Sequence, residues 1–136
     1  MGSQQQITEE RGATPRTVLV VEDDADVLEA MVTGLGTRGY RVLTARDGAR
    51  ALTILAGVHV DLILLDLTMP VMSGWEFLDA KVADPQLLDI PVIVVTAVGS
   101  ALTQTDNPPW FDVIEKPFRL QGLLSVIERG LSIQAR

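Results

Sequence analysis

Four apolar residues in a row, Leu62-Ile63-Leu64-Leu65, stand between Asp61 and Asp66 in the stretch VDLILLDLTMPVMSG. A short run without polar alternation suits a central strand of a parallel sheet, buried on both faces. Cover on two sides demands helices before and after the strand, so the chain must alternate strand with helix. The run stops at Asp66, and Pro70, Ser73 and Gly74 punctuate a loop before helix formers resume at Trp75. Open α/β sheets collect their ligands beyond the carboxyl ends of the strands. Asp66 is therefore either a turn residue that ends a strand or a site residue, and its partners must decide.

The flanking chain has the required alternation. Residues 1–15 (MGSQQQITEERGATP) are polar and aperiodic and read as a disordered tail. Thr17–Val21 (TVLVV) is a buried strand ending at Glu22-Asp23-Asp24. Val27, Leu28, Met31, Val32 and Leu35 then recur at three and four residues, the spacing of an amphipathic helix. Its acidic first turn suits the helix dipole, and Gly34, Gly36 and Gly39 are expected to close it. Residues 40–45 form a second strand, and Ala49–Ala56, led by Asp47-Gly48, a second helix. Trp75–Val82 is a third helix, with Ser73 at its cap. PVIVVTA from Pro91 is a fourth strand. Trp110–Glu115, more polar, is a fifth strand near an edge. Phe118–Leu131 is the last helix, with Leu120, Leu123, Leu124 and Ile127 on one face. Trp75 and Phe77 read as core or loop packing rather than a ligand cage. Between the fourth and fifth strands, Pro108-Pro109 leave room for a short helix only. The 136 residues form one domain: a doubly wound, three-layer α/β fold with a five-stranded parallel sheet.

Gly34-Leu35-Gly36-Thr37-Arg38-Gly39 is a literal GxGxxG. A dinucleotide fingerprint follows a strand and opens a helix. These glycines end a helix and lead into a strand, so the cofactor reading fails on context.

Right-handed crossovers bring the C-terminal ends of all five strands to one edge. Glu22-Asp23 follow the first strand there, Asp66 the third, Thr96 the fourth and Lys116 the fifth. Carboxylates gathered with a single lysine repel one another, and a hard divalent cation such as Mg²⁺ relieves this through oxygen ligands and water. A lysine and a hydroxyl beside a carboxylate are what a transferred phosphoryl group requires, and the carboxylate itself can be the nucleophile. Other classes are excluded. There is no cysteine, and His59 is the single histidine, placed in a loop at the opposite edge. A net charge of -7 opposes direct nucleic-acid binding. No apolar run spans a membrane, and the expected compartment is the cytoplasm.

LVVEDD, LLDLTMPVMSG, VIVVTA and EKPF, in this order, resemble the receiver (response regulator) domain of two-component signalling, over residues 16–133. The resemblance implies a flavodoxin-like fold with strand order 2-1-3-4-5. It implies Asp66 as phosphoacceptor, supplied by a sensor histidine kinase or a histidine phosphotransfer protein. Asp23 would be the direct Mg²⁺ ligand, Glu22 its neighbour acting through water, and Thr68 a ligand through its backbone carbonyl. Thr96 would be the switch hydroxyl, with Lys116 pairing with phosphoryl oxygens and a cis bond to Pro117. Thr68 and Val98 would flank the attacking water. The output protein is unnamed, and a homodimer is one option.

Two positions depart from the family pattern. Val113 stands where receivers usually carry an aromatic residue, with Trp110 and Phe111 just upstream. The Thr96–Lys116 interval is about two residues short, which predicts a shortened fourth helix. Two other classes share parts of the pattern. A haloacid-dehalogenase-like phosphatase needs a second aspartate where Thr68 stands. A receiver fold acting purely as an interaction module would not need the acidic cluster and Lys116.

Overall fold

The computed structural model describes residues 14–69, 71–102 and 106–134. The expected tail, residues 1–15, lies mostly outside the described residues. Strand β1 (Thr17–Val21) leads to α1 (Ala25–Gly36), β2 (Arg41–Ala45) and α2 (Gly48–Gly57). Then come β3 (Leu62–Leu65), α3 (Gly74–Ala83), β4 (Val92–Thr96), a single helical turn α4 (Gly99–Leu102), β5 (Asp112–Glu115) and α5 (Leu120–Gln134). All pairings are parallel, in the order β2-β1-β3-β4-β5. The fold is the doubly wound, flavodoxin-like one; the fourth helix is described over Gly99–Leu102, and the expectation that it is shortened falls partly on residues 103–105, outside the described residues.

Strand side chains alternate between two cores, as a sheet covered on both faces requires. Leu19, Val21, Ile63, Leu65, Val92 and Val94 face α2 and α3, where Ala51, Leu55, Phe77 and Leu78 meet them. Val18, Val20, Leu62, Leu64, Ile93 and Val95 face α1 and α5, against Met31, Leu35, Leu123 and Ile127. The three central strands are buried throughout, whereas β5 is only half-buried at an edge, in keeping with its polar sequence.

Local chemistry sets the helix starts. Asp24 caps α1, its side chain accepting from the Asp26 and Val27 N–H groups, and Asp47 caps α2 through the Arg50 N–H. Ser73 and Glu76 form a reciprocal capping box at α3. Gly34 is not a terminator. It lies within α1, where a Cβ would sit 2.4 Å from Leu120 Cδ1, so the missing side chain lets α5 approach. Leu120, expected inward, is correspondingly half-exposed over that contact. Phe77 is fully buried, whereas Trp75 packs outside the core, 48 % exposed, its ring edge-to-face with Trp110 at a centroid distance of 6.1 Å. No helix among the described residues is long and apolar enough to cross a membrane.

Candidate functional site

Register places the polar strand ends together. Val21 pairs with Leu65 and Thr96 with Glu115, so Glu22, Asp66 and Lys116 each stand one residue past a paired position. Their backbones are held by ladder bonds continued past the strands. Glu22 N donates to Ala45 O at 3.0 Å, Asp66 N to Val21 O at 3.0 Å, and Lys116 N to Thr96 O at 2.9 Å. The three side chains thus start from backbone as fixed as the sheet.

Carboxylate oxygens of Glu22, Asp23 and Asp66 all lie within 4.8 Å of one another. Lys116 Nζ donates to Glu22 Oε1 at 2.9 Å and stands 3.6 Å from Asp66 Oδ2. The Thr68 N–H donates to Asp66 Oδ1 at 3.3 Å, and the Asp24 N–H to Glu22 Oε2 at 3.1 Å. Thr96 is buried. These residues, with Ala97 and Val98, line a cleft of about 400 Å³. The cleft brings together every site residue expected from sequence: Glu22, Asp23, Asp66, Thr68, Thr96 and Lys116. Asp24 was missed; its place just ahead of the helical period was the signal for a cap that also steadies Glu22.

Burial raises the Glu22 carboxyl above its usual range, and the Asp66 charge adds to this against the pull of Lys116 and the Asp24 N–H. At Lys116 burial works downward, but the Glu22 bond and the charges of Glu22 and Asp66 outweigh it and hold the ammonium above its ordinary value. Lys116 is the one cation paired with these three carboxylates among the described residues, Arg46 reaching only the Asp23 backbone carbonyl at 3.4 Å, so the cluster stays under-neutralised. Oxygen donors this close fit a hard divalent ion that keeps part of its water.

The loop after Asp66 is fixed by close backbone contact. A Cβ on Gly74 would lie 2.5 Å from Asp66 O and 2.6 Å from Leu67 Cα, backbone that cannot yield, so only glycine fits. Gly74 N also donates to Leu67 O at 3.1 Å. On the other side, a Cβ on Gly99 would meet Val113 Cγ1 at 3.2 Å, so α4 starts tight against β5. The three residues weighed for an aromatic role divide between the faces. Trp110 and Val113 pack with the α2–α3 core, Phe111 with the α1–α5 core. The Lys116–Pro117 bond is cis.

Away from the cleft, His59 is exposed at the opposite edge, its Nε2 3.0 Å from Asp61 Oδ1. Asp61 serves the fold, accepting from the Thr17 N–H at 2.7 Å. Glu128 pairs with Arg38 at 3.3 Å and Arg129 with Asp112 at 3.2 Å, both on solvated surface.

The family model for the response regulator receiver domain matches residues 18–128. The transcriptional regulatory protein PrrA of Mycobacterium tuberculosis is 42 % identical over 119 residues, covering 86 % of this chain and 50 % of PrrA. Several curated relatives are likewise matched over half or less of their length. The solved chemotaxis response regulator CheY4 of Vibrio cholerae is 30 % identical with a TM-score of 0.75, over 87 % of this chain and all of that one. The response regulator TrrA of Thermotoga maritima, solved in complex with Mg²⁺-BeF, is 26 % identical with a TM-score of 0.76, over 85 % of this chain and 99 % of that one.

Proposed function

The chain belongs to the response regulator receiver family, and on that footing we propose that Asp66 takes a phosphoryl group from a phosphohistidine, with a divalent cation bound at Glu22 and Asp23. The observation that carries this reading is the cluster itself: three carboxylates within 4.8 Å of one another, faced by one lysine. Structural ion pairing alone would balance such charge rather than concentrate it. That the similar TrrA was solved in complex with Mg²⁺-BeF supports this reading. Residues 16–133 are the proposed receiver unit.

Glu22, Asp23 and Asp66, with the Thr68 backbone carbonyl, would hold Mg²⁺. When bound, the ion neutralises charge on the transferring oxygens. Asp66 attacks phosphorus, the new O–P bond forms as the N–P bond breaks, and the imidazole leaves with the electron pair and takes up a proton. Lys116 stands 3.6 Å from Asp66 and pairs with a phosphoryl oxygen. The buried Thr96 hydroxyl donates to another. Output follows from the rearrangement these new bonds cause in the surrounding loops. The phosphodonor is a sensor histidine kinase or a histidine phosphotransfer protein, and the chain's own chemistry is limited to this transfer and slow hydrolysis of the product.

Incubation with a small acyl phosphodonor tests the reading. Acid-labile phosphate should enter the wild type only with Mg²⁺ and should be absent from Asp66→Asn, whose amide keeps the shape and loses the nucleophile. Normal labelling of a folded Asp66→Asn would overturn it.

A further inference from the structure

We propose that the groove between the second half of α3 and the segment leading into β5 is a docking site for a cationic amphipathic helix of a partner protein. The groove encloses about 360 Å³, with Val82, Leu88, Pro108, Pro109 and Trp110 among its walls. It lies where the chain enters β4 and β5, the edge of the sheet opposite the acidic cleft, and owes nothing to phosphoryl chemistry.

Among the described residues its apolar surface is not closed by the chain's own packing. Val82 and Leu88 each keep 49 % of their surface exposed, and Trp75, against Trp110, keeps 48 %. Trp75, Asp79 and Val82 stand at i, i+4 and i+7 on α3, one stripe of one helix face. The apolar anchors therefore run from the first turn of α3 to the mouth of the groove, a span of about 10 Å at helical rise. Two turns of a partner helix cover that length with anchors at i, i+3 or i+4, and i+7.

Charge selects the occupant. Glu76 and Asp79 are exposed on α3, and exposed Asp89 stands in the groove wall. Among the described lining residues the only cation is Lys81, which is 3 % exposed and donates inward to Leu88 O at 2.9 Å. The surface offered to solvent is thus apolar with an acidic rim. A second copy across a two-fold axis would set that rim against itself, and an anionic membrane would be repelled. A helix carrying Lys or Arg beside aliphatic anchors satisfies both the groove and the rim.

Phage display of random peptides on the wild type, with Val82→Asp as counter-selection, tests this. Enriched peptides should carry Lys or Arg around apolar residues at helical spacing. A synthetic copy of the strongest should shift the emission of Trp75 and Trp110, the only two tryptophans in the chain. Affinity should fall by about tenfold or more, roughly 1.4 kcal/mol, in both Val82→Asp and Asp79→Lys, with circular dichroism and phosphate incorporation unchanged. Three results would each overturn the proposal. One is enrichment without a cationic bias or no enrichment over the counter-selection. Another is equal affinity for either folded variant. The third is a concentration-dependent dimer that Val82→Asp abolishes, which would assign the groove to self-association.

Discussion

Lys116 has a choice of carboxylates, and its shorter contact is with Glu22, 2.9 Å against 3.6 Å to Asp66. Its charge is spent on the buried acid that burial most disfavours, which leaves Asp66 beside the cation but not locked to it. A phosphoryl group on Asp66 would bring new anionic oxygens into that gap, and the ammonium need move little to meet them. We predict that how long such a group survives turns on two other side chains lining the cleft, Thr68 and Val98. In-line hydrolysis needs a water oriented by polar groups. Val98 is 54 % exposed and can neither donate nor accept a hydrogen bond. The aspartyl phosphate should therefore decay slowly, and Val98→Gln should speed its loss by about tenfold, ~1.4 kcal/mol of barrier. Loss of label over time in Mg²⁺ without a phosphodonor measures this; no acceleration in the variant would mean that water reaches phosphorus by another path.

Among the elements, α3 joins the cleft to the far edge of the sheet. Its start is fixed by the Ser73–Glu76 capping box and by Gly74 against the Asp66 carbonyl. Its far end holds Lys81, a charged residue at a core position. Burial keeps that ammonium below its ordinary 10.5, with the Asp89 charge opposing the shift. A lysine with a folded pKa below its unfolded one is fully penalised at neutral pH, and the penalty fades as pH climbs from the folded value to the unfolded one. Lys81→Met should thus raise stability at pH 7 by about 1 kcal/mol, a Tm gain of about 4 °C, and the advantage should shrink as pH rises towards 10.5. The freed Leu88 carbonyl sits on an exposed turn and can take a water. Thermal melts of both proteins across that pH range decide; a lower Tm at pH 7 would mean that the bond to Leu88 outweighs desolvation. Lys81 also marks where reading from sequence fails. Glu22, Asp66 and Thr96 were legible because each is the first polar residue after a buried run, and Lys116 because it directly follows the more polar fifth strand, so the strand pattern sets all four on one edge. Lys81, the helix-interior Gly34 and the Trp75–Trp110 pair depend on which side chain another element places opposite them, and periodicity carries no such information.

At the scale of the whole molecule, part of the net charge of -7 is gathered in the cleft. Two unit charges about 4 Å apart repel by about 1 kcal/mol even in bulk water, and three of the cleft's carboxylates lie within 4.8 Å of one another beside one ammonium. Asp23→Ala should stabilise the metal-free protein by about 1 kcal/mol while weakening Mg²⁺ binding. The wild-type Tm should then climb with added Mg²⁺, as any ligand that prefers the native state requires, and that of the variant should hardly move. Equal Mg²⁺ responses would place the ion elsewhere. The same cluster is what makes Asp66 the proposed nucleophile, and the bond it forms can be located chemically. Borohydride reduces an acyl phosphate to the alcohol, so after incubation with phosphodonor and Mg²⁺ the modified aspartate becomes homoserine, readable by peptide mass spectrometry. Homoserine at position 66, dependent on Mg²⁺ and found at no other carboxylate, is the expected result. Homoserine at position 23 or 112, or none anywhere in a protein that has taken up phosphate, would contradict it.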